Sequence, residues 1–233
     1  MKLNIRYEDE YLICAVKPAG MPVQGDKSND VDLVTEIKEY LYEKTASDDE
    51  PYAALINRLD RPVGGLTLFA KDEKTAARMT DLLTDGGIDK YYQAIITGEI
   101  PEESGELVDY IVRDPKTNMS KIVDSGVKGA KKAVLSYELI DEFETDDGIL
   151  GLLLIHLITG RHHQIRAQLS HIGCGIYGDV KYNPKFRGKK GGKAIGLYST
   201  RLEFDHPVTG EHIKIKQEPE GEAFAAIDLE QEY

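Results

Sequence analysis

Positive charge is scarce in this chain: of 233 residues, 29 are Lys or Arg against 41 Asp or Glu, a formal net charge of -12. Such a balance argues against a surface that is basic all over, the usual footprint of indiscriminate nucleic-acid binding. Cysteine is scarcer still. Cys14 and Cys174 stand in unrelated segments and suggest neither a metal-ligand pattern nor a disulfide framework, so reduced thiols in a cytoplasm are the simplest reading. Long apolar runs are missing as well. The best, at 149–158, is too short to cross a bilayer, and the opening Met-Lys-Leu-Asn-Ile-Arg-Tyr-Glu lacks the hydrophobic centre of a secretion signal. No membrane partner is expected. There is no internal repeat, and the only biased stretches are a Gly/Lys loop and an acidic tail from about 218 to 233. The length allows a sizeable core, and a single domain spanning the chain is the expectation.

What is present begins with Asn57-Arg58-Leu59-Asp60. An apolar run, Tyr52 to Asp60, is followed by Arg61-Pro-Val-Gly-Gly65 and then by a second apolar run to Lys71. The pattern predicts two strands flanking a connection rich in breakers, with Asp60 where scaffold becomes loop. A carboxylate so placed is either a turn former or a catalytic group facing a cleft. Thr159-Gly-Arg-His-His-Gln-Ile-Arg166 follows another apolar run and precedes Ala167 to Gly173. It predicts a buried strand entering a helix, with Ile165, Leu169 and Ile172 toward the core and His162 and Arg166 sharing another face.

These segments, with Lys90-Tyr-Tyr-Gln-Ala94, Lys17-Pro-Ala-Gly20, Ile176-Tyr-Gly-Asp179, Tyr182 and Phe204-Asp-His-Pro-Val-Thr-Gly210, resemble the RluA-type pseudouridine synthases over nearly the whole chain and in order. The resemblance implies isomerisation of uridine within RNA: the N1 bond to ribose is broken, the uracil turns, and it is rejoined through C5. It implies Asp60 as the essential carboxylate, Tyr92 packed against the flipped uracil, and Arg166 as the cation that keeps Asp60 ionised. An ordinary Asp pKa of about 3.9 suits a nucleophile at neutral pH, but burial would neutralise it without such a partner. Addition at uracil C6, attack at ribose C1′ and elimination all use this one carboxylate. The chemistry needs no metal and no organic cofactor, and substrate access calls for base flipping. The catalytic resemblance begins by about Tyr7, so no N-terminal S4-like RNA-binding domain is expected.

Three positions depart from the family pattern: Asn57 where His is usual, Val63-Gly64-Gly65 where Thr-Ser-Gly is usual, and His162 where Thr is usual. They bear on the choice of RNA more than on the reaction. Candidate RNA contacts are Asn57, Arg58, Arg161, His163, Gln164, Lys189 and Lys190, the last two in a Lys/Arg-rich loop spanning 181–193. A second basic group is Lys128, Lys131 and Lys132, while acid gathers at 48–50, 141–147 and in the tail. The expected partner is an rRNA or tRNA stem-loop, with no obligate protein partner and a monomeric enzyme.

Two rival functions compete with this one. A catalytically silent RNA-binding protein of the same fold is opposed by the intact set Asp60, Tyr92 and Arg166. A metal-dependent hydrolase built on His156, His162, His163 and His171 lacks a zinc-like spacing. Periodicity predicts helices over 31–44, capped by Asp30, and 73–83, and strands near 11–17, 55–60, 66–70, 91–97, 134–140, 150–158 and 213–217. Strands outnumber helices, which fits a mixed α/β fold; the family implies a largely antiparallel central sheet with the cleft across it.

Overall fold

The computed structural model describes residues 3–26, 28–45, 49–98, 102–145, 148–189 and 194–228. In chain order its elements are β1 (Ile5–Glu8), β2 (Leu12–Lys17), α1 (Leu33–Thr45), β3 (Ala54–Leu55), β4 (Gly64–Ala70), α2 (Glu73–Thr84), β5 (Ile88–Thr97), β6 (Ser104–Asp114), β7 (Met119–Val123), β8 (Lys131–Thr145), β9 (Gly148–Leu157), α3 (Gln164–His171), β10 (Leu197–Asp205), β11 (His212–Lys216) and α4 (Glu222–Asp228). They fall into two compact units, one of Met1–Asp89 with Ser199–Pro219 and one of Lys90–Tyr198 with Glu220–Tyr233. The boundary passes through β5 and β10. The class is α/β, and the paired strands with a resolved register run antiparallel.

In the first unit the strand order is β1-β2-β4-β10, with β11 on β10 and β3 on β4. Every residue of β2 and β4 is buried, which explains why both read as continuous apolar runs rather than alternating ones. α1 buries Leu33, Ile37 and Leu41, and α2 buries Thr75, Ala76 and Met79. Asp72 caps α2 by accepting from the Thr75 amide at 2.8 Å. The cap of α1 is Asp32, which takes the Thr35 amide at 3.2 Å and the Thr35 hydroxyl at 2.8 Å. Asp30, expected in that role, is paired with Arg61 instead.

The strand expected over 55–60 stops at Leu55, and the cause is Asn57. Its buried carboxamide takes over the pairing with β4, donating to the Leu66 carbonyl at 3.1 Å and accepting from the Leu68 amide at 2.7 Å. The backbone is thereby released from the sheet, and 58–63 continue as a loop closed by the Val63 amide on the Asp60 carbonyl at 3.0 Å.

The second unit carries the order β5-β9-β8-β6-β7. The segment 112–130, for which periodicity predicts no strand, holds the end of β6, a turn over 115–118 with Asn118 left-handed (φ 49°), and β7. α3 is eight residues long and buried from Gln164 to Leu169, so it has no polar outer face along that stretch. His162 precedes the helix and does not share a helical face with Arg166. Part of the acidic tail is helical: α4 buries Ala223, Phe224 and Ile227, with the Phe224 and Tyr198 rings 6.1 Å apart.

Gly65, at φ 116°, sets the approach of β10 to β4, because a Cβ there would lie 2.3 Å from the Ser199 carbonyl oxygen and 2.6 Å from its nitrogen. Both atoms are backbone and cannot rotate away. Gly65→Ala is therefore expected to cost about 3 kcal/mol or more, through overpacking and a disfavoured φ together. Urea denaturation would read this as a lowered midpoint; an unchanged midpoint would refute the steric account.

Candidate active site

Asp60 is half-buried in the first unit, on the loop released by Asn57. Beneath that loop lies Lys17, at the end of β2 and wholly buried. Its ammonium donates to the carbonyls of Pro18 (2.9 Å), Met21 (2.8 Å) and Arg61 (3.0 Å), so the 18–21 segment and the residue after Asp60 share one cation. The Gly20 amide adds a further bond to the Arg61 carbonyl at 2.8 Å. Burial pulls the Lys17 pKa down to about 7, and the negative charge of Asp60 acts in the opposite direction. Arg61 clamps the loop from outside: Nε donates to the Gly20 carbonyl at 2.9 Å, and Nη1 reaches Asp26 at 3.2 Å and Ser28 at 3.0 Å. The carboxylate is thus mounted through its neighbours, an arrangement suited to a nucleophile whose position must be fixed.

Tyr92 and Arg166 belong to the second unit. On β5, Tyr92 is buried opposite Ile155 of β9, while the adjacent Tyr91 turns the other way and stacks on His156 at 4.6 Å between ring centroids. Arg166 is buried on α3 and grips Asp179 at two points, through Nε (2.7 Å) and Nη2 (2.8 Å). Asp179 also accepts from the amides of Lys181 at 2.9 Å and Tyr182 at 3.2 Å. Burial opposes ionisation of Asp179, yet the Arg166 guanidinium and these amides hold its carboxyl below the usual range. The sequence motif contained Asp179 without giving it a role; the signal was an acid three residues before the matched Tyr182.

The other expected RNA contacts separate by burial. Arg58, Arg161 and Lys189 are exposed, with Arg161 Nε on the Lys132 carbonyl at 3.0 Å and the Lys189 ammonium 5.6 Å from the Phe186 ring. Lys190 lies outside the described residues. Asn57, His163 and Gln164 are buried and engaged with the chain itself. Gln164 accepts from the Thr159 hydroxyl (2.7 Å) and the Arg161 amide (3.0 Å) and donates to the Val134 carbonyl (3.1 Å), while His163 Nδ1 meets the Tyr182 hydroxyl at 2.8 Å. Their direct work is on the shape of the polypeptide, and RNA contact by these three would require exchanging those bonds. Among the described residues, no three His, Cys, Asp or Glu side chains are grouped to hold a metal ion.

Two outcomes follow from the buried charges. Asp179→Asn leaves Arg166 buried without its anion and is expected to destabilise the fold by about 3 to 5 kcal/mol, measurable by chemical denaturation. Lys17 gives a pH signature. Its folded pKa lies below the ordinary lysine value of about 10.4, so between pH 7 and 10 the unfolded chain binds more protons and stability rises with pH. Below pH 7 the penalty for burying the charge is fully present. Relative to Lys17→Met, the wild type should gain about 2 kcal/mol between pH 7 and 9; a constant difference would refute the assignment.

Residues 11–171 match the family model described as RNA pseudouridylate synthase. The tRNA pseudouridine synthase C of Haemophilus ducreyi is 32% identical over 232 residues, covering 92% of this chain and 90% of its own. Ribosomal large subunit pseudouridine synthase D of Pseudomonas aeruginosa is 30% identical over 230 residues, covering 92% of this chain and 67% of its own. The structure of human RNA pseudouridylate synthase domain containing 4 shares the fold, with a TM-score of 0.78 at 21% identity over 98% of this chain and 92% of that one. The family match runs through well over half of the sequence and takes in Asp60, Tyr92 and Arg166, and by it this chain belongs to the RNA pseudouridylate synthases, isomerases that convert uridine in RNA to pseudouridine.

Proposed function

We propose that this synthase acts as a cytoplasmic monomer on a uridine in a tRNA or rRNA stem-loop, with Asp60 as its nucleophile. The observation that carries the assignment of Asp60 is its mounting: a loop freed from the sheet by the Asn57 amide and supported from within by the Lys17 ammonium. The substrate classes are those named for the Haemophilus and Pseudomonas relatives. The buried free thiols Cys14 and Cys174 agree with a reducing compartment.

In this reading the target nucleotide is flipped from its stack and its uracil packs against Tyr92, whose hydroxyl assists proton transfer. Asp60 drives cleavage of the bond between ribose and N1 by addition at C6, attack at C1′ or elimination. The uracil then turns, a bond forms between C1′ and C5, and the C5 proton departs. Water must be kept from the detached base throughout. Arg166 takes the catalytic part that the family resemblance implies for it, and its two-point grip on Asp179 fixes its orientation. Arg58, Arg161, Lys189 and Lys190 meet phosphates, and Asn57, His163 and Gln164 set the backbone that presents them.

The test is pseudouridine mapping of total RNA from cells lacking the gene, re-expressing wild type or Asp60→Asn. Sites lost on deletion should return with wild type alone, while the purified Asp60→Asn protein keeps its fold and its RNA binding. Restoration by Asp60→Asn would refute the role of Asp60, and turnover unchanged in Arg166→Lys would refute that of Arg166.

A further inference from the structure

The geometry points to Ser120 and His162 as a latch that joins the β6–β7 hairpin to the mount of Arg166, which makes both of them positioning residues for the isomerisation. This inference rests on the role given to Arg166 above. It concerns a connection that lies entirely within the second unit.

Ser120 sits on β7, opposite Arg113 of β6. Its backbone N–H donates to the Tyr182 hydroxyl at 2.6 Å. Its side-chain hydroxyl donates to the His162 carbonyl at 2.5 Å and lies 2.9 Å from His162 Nδ1. A serine hydroxyl has one proton. With that proton on the carbonyl, His162 Nδ1 must be the donor in the second contact, and the ring carries its hydrogen on Nδ1. The Tyr182 oxygen, already an acceptor from the Ser120 amide, also lies 2.8 Å from His163 Nδ1. The two imidazoles stack at 3.8 Å with 22° between their planes.

Tyr182 completes the connection. Its ring lies 5.1 Å from the Arg166 guanidinium and packs with Ile111, Ala133 and Ala167. Its backbone amide donates to Asp179, the anion that grips Arg166. A shift of β7 is therefore passed through one tyrosine to both partners of the buried ion pair. The hairpin is suited to receive RNA: Arg113 Nη2 is held on the Asn118 side-chain oxygen at 2.8 Å, Lys181 reaches the Asn118 carbonyl at 3.1 Å, and Lys116 and Lys121 are exposed nearby in sequence. Seating a phosphate backbone on these cations would thus settle Arg166 as well. His162 stands where the family resemblance places Thr, so this link is a feature of the present sequence.

Steady-state turnover on the RNA identified by mapping would be measured for Ser120→Ala, His162→Ala, the double variant and Ser120→Thr. Each alanine variant should lose about tenfold in kcat per folded molecule with KM little changed. The double variant should lose no more than either single, and Ser120→Thr should recover most of the rate. Long-range 1H–15N spectra should place a proton on His162 Nδ1 in the wild type and move it to Nε2 in Ser120→Ala. Additive losses, unchanged kcat in the folded variants, or a wild-type His162 protonated at Nε2 alone would overturn the latch. If Ser120→Ala does not fold, the half-exposed His162→Ala carries the kinetic test. Full turnover in Arg166→Lys would defeat the reading of Arg166, and the spectra would still decide the link between Ser120 and His162.

Discussion

The carboxylate proposed as the nucleophile, Asp60, stands on a loop that must be held in place, and the buried polar groups of the first unit converge on that loop. Three neighbours provide the hold. Asn57 replaces the backbone in pairing with β4, Lys17 gathers the carbonyls of Pro18, Met21 and Arg61, and Arg61 closes the loop against the segment from Gly20 to Asp30. Gly65 then permits β10 to approach β4 immediately behind the loop. A fully buried ammonium is an expensive device, and three carbonyl acceptors offset part of its lost hydration.

The second unit uses the same physical principle with a different cation. Arg166 is buried but paired at two points with Asp179, which also gathers the Lys181 and Tyr182 amides. An isolated guanidinium could pivot on its stem; one held through Nε and Nη2 has a fixed plane. From this short interior helix the side-chain amides of Gln164 and Gln168 donate to chain carbonyls, those of Val134, Leu107 and Ala133. Buried polar groups of this kind specify shape, because each tolerates few alternative partners.

The α/β class and most apolar elements were legible from hydrophobic runs: β2, β4, β5 and β9 coincide closely with them. β6 and β7 were hidden because exposed and half-buried residues with charges among them break the apolar runs, and pairing of β6 with β8 and of β7 with β6 decides their conformation. The end of β3 was illegible for another reason, since a side-chain amide imitating a strand leaves no mark in periodicity. Around the site, motif spacing singled out Asp60, Tyr92 and Arg166. It could not reveal that Lys17 would lie under the Asp60 loop, that Asp179 would hold Arg166, or that Ser120 would meet His162, because each pairing joins residues distant in sequence. Burial likewise divides the expected RNA contacts in a way that residue type could not: Asn57, His163 and Gln164 face inward, whereas Arg58, Arg161 and Lys189 reach solvent.

The enclosure of Lys17 has a chemical consequence. Acetyl donors and other amine reagents are attacked by the free amine, and a pKa near 7 makes that form abundant at neutral pH only while the side chain stays buried. Yet the side chain has no exposed surface. Enclosed, the amine cannot be reached; exposed, it regains an ordinary lysine pKa and is mostly protonated, so covalent labelling at this one lysine would be slow and would count the moments when the loop carrying Asp60 comes away from the strand beneath it.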